Sequence, residues 1–190
     1  MNAVDLVRDR LAGVQAGFRD IVASAAGLDW SGPLLPDTSP IGLTMWHVPR
    51  TLDWLVNTCI RGADEVADGS SYGDLPSVDR FGFGTGLSPA EASEAAGQVA
   101  PSTLLAYDAA VHEQAAEWLA SLTDADLDEK VPEFDDRQRT RPSYCTPAAL
   151  SAVSHLGTLT IGQMLARPAM GHLYRHLGEL DLIVQQAARG

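Results

Sequence analysis

Residues 159–187 read LTIGQMLARPAMGHLYRHLGELDLIVQQA. Their inward positions recur at helical steps of three and four: Ile161, Leu165, Ala169, His172, His176, Leu180, Ile183 and Ala187. That spacing lines one face of an α-helix and is incompatible with the period of two that a strand requires. Two histidines stand on an otherwise apolar stripe, and burying two imidazoles without partners costs of the order of 1–3 kcal/mol each. At i, i+4 they project from one face about 6 Å apart at Cβ, within reach of a shared metal ion.

Working outward, the N-terminal segment repeats the pattern with Val4, Val7, Leu11, Val14, Phe18, Ile21 and Ala25, separated by Asp5, Arg8, Asp9, Gln15, Arg19 and Asp20. Alternating steps of three and four are the seam of helices crossing at roughly 20°. Gly27 is a stop signal. After a loop rich in Pro, Gly and Asp at 29–38, Ser39-Pro40 supplies an N-cap and a first-turn proline for a second helix reaching about Arg61, with Ile41, Met45, Val48, Leu52, Leu55 and Cys59 inward. Pro49 falls inside that run, beside His47, and should kink it.

Residues 62–87, with GSSYGDLP and FGFGTG, show no sustained period and read as a long loop. Ser88-Pro89-Ala90-Glu91 has the form of a capping box and opens a third helix to about Leu122, bent at Pro101, with Leu104, Val111, Ala115, Trp118 and Leu122 inward. LTDADLDEKVPEFDDRQRTRPSYC reads as connection, and Thr146-Pro147 caps a short helix over Ala148 to His155. The expected fold is all-α: a four-helix bundle in one domain spanning 1–190, with a long loop between helices two and three and a short extra helix before the last.

Composition excludes several functions. The 190 residues are 45% hydrophobic, enough for a substantial core. Thirteen basic against 25 acidic residues give a formal charge of −12, which repels phosphate backbones and anionic lipid, so neither nucleic acid nor membrane is an expected partner. MNAVDLVRDRLAGV lacks an uninterrupted apolar h-region, so a cytoplasmic location is expected. Cys59 and Cys145 form neither a CxxC motif nor a disulfide framework, and Cys59, among Leu55, Val56 and Ile60, reads as a buried inert thiol. Trp46, Trp54 and Trp118 read as core or pocket lining.

The run MGHLYRHLGELDLI, Met170 to Ile183, resembles the final-helix signature of the DinB/YfiT-like superfamily, in which two histidines four apart precede a short residue, Gly and Gln, then a hydrophobic run. SPIGLTMWHV, Ser39 to Val48, stands where that family places a third histidine ligand, and LTDADLD, Leu122 to Asp128, resembles its connector. The resemblance implies a divalent metal on His47, His172 and His176, zinc foremost, with nickel, iron or manganese as alternatives. It further implies thiol-dependent chemistry, S-transfer or isomerisation, with mycothiol, bacillithiol or glutathione. Glu179 departs from the family's Gln and offers a carboxylate to an imidazole N–H. Pro49 and Pro168 interrupt helices near the ligands.

Three imidazoles leave coordination positions open, which suits activation of a thiol or water for attack on a small molecule. Arg50, Arg167 and Arg175 are candidates to clamp an anionic substrate. His155 ends the short helix, and His112 reads as a core histidine. The rival expectation is a non-enzymatic helical module, binding or dimerising, with its metal structural or absent.

Overall fold

The computed structural model describes residues 2–189, and no strand occurs among them; Lys130 and Thr160 form one isolated bridge. In chain order the α-helices are α1 (Ala3–Ser24), α2 (Ile41–Asp53), α3 (Val78–Phe81), α4 (Pro89–Gly97), α5 (Pro101–Ala120), α6 (Phe134–Gln138), α7 (Pro147–Val153), α8 (Ile161–Met164) and α9 (Leu173–Ala187). Two π-helical stretches continue them: Trp54–Arg61 extends α2, and Leu165–His172 joins α8 to α9. Helix α1 packs against α5 and α9, and α2 packs against α4, α5 and α9. No helix among the described residues is long and apolar enough to cross a membrane.

The stripe expected on α1 is buried at every position, as is that of α2 and its extension. Asn2 caps α1 by accepting from the Asp5 N–H, and Ser88 with Glu91 forms the expected capping box on α4. Several expectations shift. Helix α2 begins at Ile41 with Pro40, not Ser39, at its N-cap. The third helix is two: Pro101 starts α5 instead of bending one long helix, because proline's fixed φ and missing N–H suit a first turn. On α5 Leu119 is buried where Trp118 was expected, and Trp118 is only partly covered. The 62–87 loop contains α3 and two single 3-10 turns, and the connection after α5 contains α6.

The last helix shows the most consequential difference. A capping box of Thr160 and Gln163 starts it at Ile161, and Pro168 then lies inside the π-helical stretch. Proline cannot donate to the carbonyl of Met164, and a wide π turn accommodates the lost bond. The wider turn also rotates the phase of the helix. The buried stripe of α9 is Leu173, Leu177, Leu180 and Val184, while Ile183 and Ala187 are only partly covered. His172 and His176 therefore stand at the edge of the core, half-buried and facing α2.

Candidate metal centre

His47, His172 and His176 converge. The Nε2 atom of His172 lies 3.0 Å from Nε2 of His47 and 3.1 Å from Nε2 of His176, and one ligand atom from each ring falls within 4.8 Å of the others. Tetrahedral coordination at Zn–N distances of about 2.05 Å puts ligand nitrogens roughly 3.3 Å apart, so the His172 pairs need open by only a few tenths of an ångström around a central ion. The rings meet edge to face, with interplanar angles of 79°, 87° and 88°, so their lone pairs aim at a common region instead of stacking.

The far sides of two rings are held. Nδ1–H of His47 donates to the backbone carbonyl of Phe83. Nδ1–H of His176 donates to Glu179 Oε2 at 2.8 Å, and Glu179 Oε1 also accepts from Arg175 Nε at 3.0 Å. Both bonds select the tautomer whose Nε2 is a free lone pair, the arrangement that orients metal-binding histidines in metalloproteins. Partial burial raises the Glu179 carboxyl, but the hydrogen bonds from Arg175 and His176 outweigh it and hold the group below its ordinary range. Burial, reinforced by His176, lowers His47 to about 3 and His172 to about 4, so both rings are neutral at pH 7, the form that ligates.

The loop that sequence reasoning passed over supplies the His47 tether. Gly84 has φ +86°, and a Cβ there would sit 3.3 Å from Trp46 Cζ3 and 3.4 Å from His47 Nδ1. Glycine at 84 lets the chain reverse closely enough for the Phe83 carbonyl to reach the imidazole. The alternating glycines of FGFGTG were the available signal. Thr51, one turn along α2, was likewise missed; its Oγ1 stands 3.3 Å from His47 Nε2.

A cavity of about 270 Å³ opens beside the cluster, lined by His47, His172, Thr51, Trp54, Phe83 and Arg167 among others. A second, of about 250 Å³, meets the cluster on the side of Thr44, Gly84 and His176. Cavities thus border the cluster on two sides, with room for a small molecule beside the imidazoles.

The other nominated residues fall in different places. Arg167 lines the 270 Å³ cavity, and so does the exposed His155, which lies in a 3-10 turn (Ser154–Thr158) after α7 and is not in the cluster. Arg175 is an exposed partner of Glu179. Arg50 is fully buried: its guanidinium donates to Glu65 and Tyr144, stands 3.4 Å from Asp53 Oδ2, and is enclosed by Tyr107. It is an interior ion pair that fastens α2 to the 62–87 loop. Cys59 is buried, and burial pushes its thiol well up, so it is inert as expected. His112 is buried against Asp108 on α5.

No protein-family model matches the chain, and no curated protein matches it. The chain is all-helical among its described residues and brings three imidazoles, two of them tethered, to one point beside an open cavity.

Proposed function

We propose that this chain is a metal-dependent enzyme in which His47, His172 and His176 hold one divalent ion, zinc first among the candidates, for chemistry on a low-molecular-weight thiol or on water. The observation that carries the reading is the convergence of three Nε2 atoms at 3.0 and 3.1 Å while Phe83 and Glu179 hold the Nδ1 atoms behind them. A divalent ion so placed supplies Lewis acidity that brings a thiol or water to its nucleophilic form at neutral pH. The chain's own residues do the rest. Phe83 and Glu179 fix the rings, and the walls formed by Trp54, Phe83 and Leu156 limit water around a bound molecule. The Thr51 hydroxyl offers a hydrogen bond beside the coordinating face.

The long helical stretches α1, α2 with its extension, α5, and α8 to α9 suit a four-helix bundle of the DinB/YfiT-like kind. Mycothiol, bacillithiol and glutathione enter as candidate thiols through that resemblance alone. Cobalt substitution tests the proposal. Stoichiometric Co²⁺ in the chain should give a sulfur-to-metal charge-transfer band in the near ultraviolet on adding one of these thiols, and His47→Ala should abolish it. No spectral change with any of the three removes thiol chemistry and leaves the water-based enzyme or the non-enzymatic module.

A further inference from the structure

The 270 Å³ cavity beside the three histidines differs in charge from the rest of the molecule. The chain carries 25 carboxylates against 13 basic side chains, yet among the described residues no carboxylate lines this cavity, and Arg167 does. Another cavity, of about 570 Å³, carries five carboxylates, among them Asp64 and Glu133, against Arg137 and Arg141. Arg167 takes part in none of the ion pairs among the described residues. Arg167 is exposed at the cavity's edge, and its guanidinium is a fork of donors that no acceptor among the described residues satisfies.

Trp54, Phe83, Val153, Leu156 and Pro168 give the cavity its apolar walls, alongside Thr51, Thr85 and the histidines. A dry cavity of about 150 Å³ accommodates benzene, so 270 Å³ takes one ring and a short substituent. From this juxtaposition we propose that the cavity binds a small molecule with an apolar, ring-sized body and a single anionic group, a carboxylate, received by Arg167. The proposal names the substrate class of the centre described above and rests on that reading for the cavity's part in chemistry. Binding itself requires only the cavity and Arg167. On a chain of charge −12 the overall field opposes an anion, so the carboxylate must be recognised locally.

The test uses phenylacetate and its neutral isostere phenylacetamide, titrated into the metal-free chain by ligand-observed NMR, with succinate as an anion lacking the ring. Phenylacetate should bind on the order of tenfold more tightly than either. Arg167→Gln should bring phenylacetate down to the amide, and Arg167→Lys should retain part of the preference. Ala152→Trp, at an exposed position on the cavity wall, should exclude both aromatic probes. Equal affinity for acid and amide, or a preference that survives Arg167→Gln, overturns the carboxylate assignment. Succinate binding as tightly as phenylacetate overturns the apolar one. Repeating the titration on zinc-loaded chain separates the two proposals: a preference that appears only with zinc and ignores Arg167→Gln places the carboxylate on the metal and refutes the role of Arg167. A chain that selects phenylacetate yet binds no metal refutes the metal centre alone.

Discussion

Removing the Glu179 carboxylate should weaken metal binding about tenfold. In the folded chain Glu179 Oε2 accepts the Nδ1–H of His176 at 2.8 Å, holding Nε2 toward the cluster. Loss of such an outer partner costs a metal site roughly 10- to 100-fold in affinity. The Glu179 side chain is 42% exposed, so water replaces it in part, which places the effect at the lower end, about 1.4 kcal/mol. Glu179→Ala leaves His176 free to turn, whereas Glu179→Gln keeps a carbonyl acceptor and should recover to within about threefold of the parent chain. Arg175→Gln is the control. Its ion pair with Glu179 is exposed, of a kind worth roughly 0–1 kcal/mol, and its removal should change affinity little. Zinc affinity is read by competition with a chromophoric chelator at pH 7.5. An Ala variant within twofold of the parent, or a Gln variant as weak as Ala, would refute the tether.

Three further outcomes follow from the buried charges. Glu65→Ala leaves buried Arg50 with Asp53 alone as its carboxylate partner and should cost about 3 kcal/mol, a thermal midpoint lower by on the order of 10 °C; a shift below about 2 °C contradicts the buried pair. In the metal-free chain, unfolded imidazoles take protons near pH 6.5, while His172 and His47 do so only near 4 and 3, so the unfolded state binds more protons between those values. Stability should therefore fall as pH drops from about 6.5 to 4, and denaturant titrations across that range check it. Burial pushes Asp108 up to about 7 and His112 down to about 4, with opposite linkage. Relative to the parent chain, Asp108→Asn should steepen the loss of stability as pH drops from about 6.5 to 4, and His112→Gln should make it shallower; slope changes of the same sign in the two variants would contradict the opposed linkage.

The helices were legible where burial is one-sided. On α1 and α2 every inward residue named from spacing is buried, because apolar periodicity and packing report the same physical demand. The histidine pair was legible for the same reason, as polar residues on an apolar stripe. The π-helical stretches were not: hydrophobic spacing presumes 3.6 residues per turn, and a single wide turn between Leu165 and His172 shifts the phase, so Ile183 was assigned to the core in place of Val184. The Phe83 tether was invisible because it is a backbone carbonyl in an aperiodic loop, brought to His47 by tertiary contact. Arg50 was misplaced because an arginine beside a candidate ligand looks like a substrate clamp until Glu65, distant by 15 residues, is seen to neutralise it.

The central claim is that three histidines from two distant helical segments hold one ion. Metal analysis of untagged chain purified without chelator, repeated on single variants, tests it most directly. The parent chain should carry close to one divalent ion, and His47→Ala, His172→Ala and His176→Ala should each lose it, while His155→Ala and His112→Ala retain it. Full occupancy in His172→Ala, whose Nε2 lies between the other two, would contradict the account.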